Sequence, residues 1–72
     1  MRVIVTKHAK NRYFQYTGQE VNNYKLRTRL KIKLASGAKM VNKRIFFSVD
    51  SSLIAVCAPI VSGWLVITFL RK

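Results

Sequence analysis

The longest apolar stretch of the chain is Leu53–Leu70, which contains no charged residue. A run of this length just reaches the threshold for a transmembrane helix. However, β-branched and aromatic side chains dominate its second half, and a proline and a Ser-Gly pair interrupt it where a hairpin would turn. These features favour two strands, Leu53–Ala58 and Trp64–Leu70, joined by the turn Pro59–Gly63. We expect the hairpin, and a membrane span over residues 51–70 is the alternative.

A short helix is predicted near the start of the chain, over Lys7–Thr17. Thr6 precedes it as an N-cap, and Gly18 follows it as a left-handed C-terminal residue. Apolar and aromatic positions recur at i, i+4 and i+7 on one face, as expected for a core-facing stripe, at Ala9, Tyr13 and Tyr16. Phe14 lies outside this stripe and implies a second contact surface.

The segment Asn23–Leu34 has two conflicting periodicities. From Tyr24 to Leu34, uncharged residues alternate without an error with Lys and Arg, which is typical of a half-buried strand with a cationic outer face. As a helix, the same residues form two apolar stripes on opposite sides. Leu, Lys and Arg are nevertheless better helix formers than strand formers, and Gly37 lies where a helix would stop. Periodicity alone favours a strand here.

The remaining segments predict strands. Met1–Thr6 is β-branched and fits a strand or an extended lead-in, and Met40–Val49 fits a strand that ends in the polar turn Asp50–Ser52. Followed by the hairpin, Met40–Val49 would open a three-stranded antiparallel meander. The chain contains no repeat or linker, so we expect residues 1–72 to form one domain.

Positive charge indicates the class of partner. Fourteen Lys and Arg stand against two acidic residues, for a formal net charge of +12. A chain this basic repels itself unless a polyanion is near, so nucleic acid or an anionic membrane surface is the expected partner. The candidate nucleic-acid-binding residues are Lys7, Lys10, Lys25, Arg27, Arg29, Lys31, Lys33, Lys43 and Arg44.

Cysteine and histidine are too few for a metal site or a disulfide. Cys57 is the only cysteine and His8 the only histidine, whereas a structural zinc site needs four ligands of this kind. We therefore expect no metal and no cofactor. The Met1–Arg2 start lacks the apolar segment of a signal peptide, which predicts a cytoplasmic protein. Small size and an exposed sheet edge favour a homodimer.

One local motif resembles a known family. Thr6–Tyr13, with the sequence TKHAKNRY, is similar to the T-K-H-A-x-x-R-aromatic helix of small phage and bacterial proteins that resemble RelE-like toxins, within the barnase/colicin/RelE group of ribonucleases. Ile67-Thr68 resembles the Ile-Thr pair of their last strand. The resemblance implies an α+β fold in which two N-terminal helices, Lys7–Thr17 and Glu20–Ala35, pack on a three-stranded antiparallel sheet. It favours a helix after Gly18, and a small all-β meander or barrel is the alternative fold.

The resemblance also implies metal-independent cleavage of RNA. In that chemistry a side chain deprotonates the ribose 2′-hydroxyl, and cations stabilise the charged phosphate. His8 would be the base or the acid, Arg12 would hold the phosphate, and Thr68 would bind a phosphate oxygen or orient His8. Tyr16 replaces the second arginine of the family pattern and would stack on a base or act as an acid. A toxin of this kind would have an acidic protein inhibitor as its partner.

Three functions therefore follow as hypotheses. The first is a small basic RNA-binding protein with a metal-independent endoribonuclease-like, toxin-like site. The second is a non-catalytic nucleic-acid-binding or regulatory protein of phage type, which would use the same cations on phosphates and its tyrosines on bases. The third is a cationic peptide inserted in a membrane through residues 51–70.

Overall fold

Two helices cover one face of a four-stranded sheet in the computed structural model, which describes residues 1–72. The elements in chain order are β1 (Arg2–Val5), α1 (Lys7–Thr17), α2 (Asn23–Ala35), β2 (Ile45–Ser48), β3 (Leu53–Ile60) and β4 (Gly63–Arg71). The spatial order of the strands is β1-β4-β3-β2. The predicted α+β class with two N-terminal helices is confirmed, and the all-β alternative is wrong.

The sheet is mixed and has one strand more than predicted. β2–β3 and β3–β4 are antiparallel, but β1 pairs in parallel with β4, with Arg2 opposite Gly63 and Val5 opposite Val66. The three predicted strands are therefore antiparallel as expected, but the prediction lacks β1, which makes the sheet four-stranded and mixed. β1 is only four residues long, and its partner lies at the other end of the sequence, so no local pattern reveals the pairing.

The β3–β4 hairpin is tighter than predicted. Its turn is Val61-Ser62, and Pro59 belongs to β3 opposite Trp64. Because the last β2–β3 pair is Ile45 with Cys57, the β2 side of β3 is free beyond that point. Proline therefore removes no ladder hydrogen bond there.

Helix α2 resolves the conflict of periodicities over residues 23–34. Asn22 caps it, its side-chain oxygen accepting a hydrogen bond from the Lys25 N–H at 3.1 Å. Leu26 and Leu30 are fully buried against the sheet, whereas Thr28 between them is exposed. A strand would place all three on one face, but a helix places Thr28 on the side opposite the leucines. The strand interpretation is therefore wrong, because the alternation in charge does not coincide with the stripe that is buried.

The core lies between the helices and the sheet. Tyr13 of α1 contacts Phe69 of β4 edge to face, with ring centroids 5.1 Å apart, a favourable aromatic geometry. The buried cluster comprises Val3, Val5, Ala9, Tyr13, Leu26, Leu30, Ile45, Phe47, Val49, Leu53, Ala55, Cys57, Val66 and Phe69. On the opposite, uncovered face, Phe46, Val56 and Thr68 lie side by side across three strands.

The apolar run that suggested a membrane span forms strands. Residues 51–70 contain a turn, β3 and most of β4. Every helix of the protein is too short or too polar to cross a membrane. The hypothesis of a spanning helix over residues 51–70 is therefore wrong, because the chain turns at Val61-Ser62, directly before Gly63.

Candidate nucleic-acid interface

The outward face of α2 carries an uncharged ridge of Tyr24, Thr28 and Ile32. These residues follow one another at intervals of four, so they form one row on the side away from the buried leucines. Tyr24 is 76% exposed and Ile32 is 61% exposed. The hydroxyl of Thr28 donates to the Tyr24 carbonyl at 3.0 Å. Two large side chains that contribute nothing to the core are thus presented to solvent on a regular helix.

Cations border this ridge on both sides. At about 100° per residue, one side holds the row Lys25, Arg29 and Lys33, and the other holds Arg27 and Lys31. All are exposed except Lys25, which is half-buried. Successive members of a row are about 6 Å apart along the helix axis. Five of the nine predicted nucleic-acid-binding residues therefore lie on one helix, around an aromatic side chain.

The protein has almost no negative charge to neutralise these cations. Its only carboxylates are Glu20 and Asp50. The Asp50 carboxylate accepts hydrogen bonds from the Ser52 N–H at 2.8 Å, the Ser52 hydroxyl at 2.9 Å and the Leu53 N–H at 3.1 Å. These bonds, the Ser52 N–H first among them, lower the pKa of Asp50. Two carboxylates can pair with at most two of fourteen cations, so the positive field of α2 is left for an external anion.

Helix α1 is fixed to β4 by its N-cap. The Thr6 hydroxyl accepts the Ala9 N–H and donates to the Ile67 carbonyl, both at 3.0 Å. The predicted cap and the buried stripe of Ala9 and Tyr13 are therefore found in the structure. This attachment determines which flank of α1 faces solvent.

His8 and Arg12 lie on that solvent-facing flank, one helical turn apart. Both are exposed, and neither takes part in a side-chain hydrogen bond within the protein. Residues at i and i+4 are neighbours on a helix surface, so the imidazole and the guanidinium can reach one bound group together. The structure thus leaves this predicted pair free to bind.

Tyr16 of α1 contacts a cation from a distant part of the chain. The Arg71 guanidinium of β4 lies over the Tyr16 ring, 4.9 Å from its centroid, a cation–π geometry. A strand cation thus occupies the next turn of α1 after Arg12. The available signal was the alternation along β4, because Arg71 shares the helix-facing side with Phe69.

Thr68 lies apart from the residues of α1. Its neighbour Phe69 faces the helices and is fully buried, so the side chain of Thr68 points to the uncovered face of the sheet. The Thr68 hydroxyl has one long hydrogen bond, to the Phe69 carbonyl at 3.5 Å. The structure therefore brings His8, Arg12 and Tyr16 onto one helix and leaves Thr68 on the other side of β4.

The other predicted cations occupy two further places. Lys7 and Lys10 are exposed on α1. Lys43 and Arg44 lie in a tight turn before β2, closed by the bridge between Val41 and Arg44. Asn42 and Lys43 both have positive φ there, 51° and 61°, so this turn ends the predicted strand Met40–Val49 on its N-terminal side.

Cys57 has no part in this surface. It is fully buried at the centre of β3, and burial raises the pKa of its thiol to about 12. The thiol therefore stays protonated at neutral pH, as expected for a cysteine that packs as a small apolar residue.

Comparisons of this chain with protein-family models, with curated proteins and with solved structures give no match.

Proposed function

We propose that this protein binds RNA through α2, with Tyr24 stacked on an unpaired base and the flanking cations on the phosphates. The observation that carries the proposal is the exposed ridge with cations on both sides and few carboxylates to neutralise them. Unpaired bases of loops and single strands stack on aromatic side chains, whereas the phosphates supply charge-dependent affinity. An aromatic side chain between two rows of cations meets both requirements.

The test removes charge from one side of the ridge at a time. One variant combines Arg27→Gln with Lys31→Gln, and a second combines Arg29→Gln with Lys33→Gln. Affinity for a fluorescent single-stranded RNA is measured by anisotropy over a series of salt concentrations. Each variant should bind more weakly. The plot of log K for binding against log salt should also become less steep by about 1.4, which is twice the contribution of one single-strand phosphate.

A control variant separates specific contacts from net charge. Lys39→Gln combined with Lys72→Gln removes the same charge from residues outside α2, and it should keep the wild-type slope. Tyr24→Ser should lose about 1–3 kcal/mol of binding free energy without a change of slope, because stacking carries no charge. Equal losses in all double variants would show that α2 is not the contact surface.

A second candidate function is metal-independent RNA cleavage at His8 and Arg12. The specific observation is that these two side chains are exposed, one turn apart and free of internal hydrogen bonds. Histidine can accept and donate a proton near neutral pH, and an arginine beside it can stabilise the phosphate in the transition state. Arg71 would add a second cation, beside Arg12, on the same side of α1.

Removing His8 tests this candidate directly. His8→Ala should lower the rate of RNA cleavage in the absence of divalent metal about a hundredfold or more, the usual effect of losing a general acid or base. Anisotropy should show unchanged RNA affinity, because α2 is intact. Arg12→Lys should also lower the rate, since an ammonium lacks the bidentate fork. Wild-type protein without activity would rule out cleavage and leave the binding function.

A further inference from the structure

A groove runs along the free edge of β1. All four residues of β1 line it, together with part of α1 and the segment that leads into α2, and its volume is about 720 Å³. Its apolar wall includes Phe14, which is 58% exposed, and Val21, which is half-buried. Phe14 thus lines the groove, which explains why an aromatic residue lies outside the core-facing stripe of α1.

The edge of β1 presents backbone groups that lack a partner. The Thr6 N–H donates to the Val66 carbonyl of β4 at 3.1 Å. Successive N–H groups of a strand point to opposite edges, so those of Val3 and Val5 point away from β4 and into the groove. No turn or loop supplies them with a hydrogen bond. A strand edge of this kind is a template for another strand.

We propose that the groove binds an extended, acidic segment of a partner protein, which pairs with β1 as a fifth strand. Main-chain hydrogen bonds to Val3 and Val5 would hold the segment, and its apolar side chains would contact Phe14 and Val21. This inference does not rest on RNA binding, because none of the α2 residues proposed to bind RNA lines the groove.

The charge of the groove indicates which kind of partner it binds. The charged residues of the groove are Arg2, Lys10 and Glu20, so the groove is itself slightly positive within a chain of net charge +12. A second copy of the chain would bring a further +12 to the interface, and like charges at that density oppose association. Carboxylates of an acidic segment can instead pair with Arg2 and Lys10.

Amide hydrogen exchange measured by NMR tests the pairing. The probe is a blocked peptide that alternates glutamate with valine, and the matched control alternates glutamate with proline, which has equal charge but no N–H at every second position. The valine peptide should slow exchange at Val3 and Val5 about tenfold or more. The amides of Ile4 and Thr6 already donate to β4, so their exchange rates should not change. The proline peptide should leave the exchange rates of all four amides unchanged.

Side-chain variants test the apolar wall. Phe14→Ser should weaken binding of the valine peptide about tenfold, the expected size for loss of a buried aromatic ring. Phe46→Ser is the matched control, because Phe46 is also exposed, at 41%, but lies on the uncovered face of the sheet. This variant should bind the valine peptide as tightly as the wild type does.

Three outcomes would overturn the proposal. The first is an equal effect of the valine and proline peptides on amide exchange, which would show that charge alone attracts them to the protein. The second is absence of protection at Val3 and Val5 with saturating valine peptide. The third is protection that rises with protein concentration before any peptide is added, which would identify a second copy as the occupant.

Discussion

At the scale of single residues, Asp50 shows how an acidic side chain is used in a protein that has only two. Its carboxylate closes the turn between β2 and β3 by accepting two N–H groups and one hydroxyl. The backbone of Asp50 also accepts a hydrogen bond from the Lys72 ammonium at 3.1 Å. The residue therefore stabilises the turn from within, and among the cations of α2 only Lys25 helps to lower its pKa, as the smallest of the causes.

This arrangement predicts a stability that depends on pH. The pKa of Asp50 is lowered from 3.8 in the folded protein, so the unfolded chain binds its proton first. The contribution of Asp50 is complete above the unfolded pKa and is lost as pH falls through the lower, folded pKa. Asp50→Asn should lower the free energy of unfolding by about 1 kcal/mol at neutral pH and by less at pH 3, which lies below the unfolded pKa of 3.8. Urea denaturation at both pH values measures it, and a loss independent of pH would contradict the assignment.

Residues differ in how far the sequence predicts their surroundings. Thr6, Ala9 and Tyr13 act within one helical turn or one face of α1, and local spacing was enough to place them. The contact between Arg71 and Tyr16 joins two distant parts of the chain. Once the first and last residues of β4 are known, the alternation of side chains along the strand predicts that Arg71 faces the helices.

At the scale of elements, α2 shows why a regular pattern can mislead. Charged and uncharged residues alternate perfectly in it, yet the free energy comes from burying Leu26 and Leu30. The helix leaves Tyr24 and Ile32 in solvent, which a strand would have buried. The pattern that looked like a buried strand face is therefore split between the core and the proposed binding ridge.

The junction of β1 and β4 depends on one glycine. Gly63 has a φ of 152°, and a Cβ there would overlap the backbone of Arg2. Gly18 also has a positive φ, of 70°, but a Cβ would meet nothing within 4 Å. Gly18→Ala should therefore cost only the conformational strain, about 1 kcal/mol, whereas Gly63→Ala should cost roughly 3 kcal/mol or more because β1 must move.

Urea denaturation of the two alanine variants makes the comparison. A φ of 70° lies in the small left-handed region that L-residues can enter, whereas a φ of 152° lies outside it. The difference between the two losses therefore combines backbone strain at residue 63 with the clash with Arg2. Equal losses of stability would show that β1 is held loosely enough to move aside at no cost.

At the scale of the whole molecule, net charge opposes folding. Fourteen cations and two carboxylates are confined to a chain whose Cα radius of gyration is 11.2 Å. Added salt screens their repulsion. We expect the Tm, measured by circular dichroism, to rise as sodium chloride is added, in the same range over which RNA affinity falls. A Tm that falls or stays constant with salt would show that repulsion between the cations does not limit stability.

The class of the fold was predictable and its connectivity was not. The Thr6 cap, the Gly18 stop and the apolar hairpin are local signals, and they predicted the first helix and the antiparallel strands. The second helix followed from the resemblance of Thr6–Tyr13 to a known family, against the local periodicity. The partner of β1 is chosen instead by the fit of Val3 and Val5 over the helices and by the close approach at Gly63. Packing between residues so far apart in the chain leaves no recognisable pattern in a short stretch of sequence.

The parallel pairing of β1 with β4 also sets an order of events during synthesis. A ribosome makes β1 before any other element, but its neighbour in the sheet is the last strand to be made. Until β4 emerges, β1 has no neighbour in the sheet, α1 lacks the strand on which it packs, and Thr6 has no Ile67 carbonyl to bind. Closing so long a loop is slow compared with forming either helix. Nascent chains should therefore remain open to proteases and chaperones until translation reaches β4.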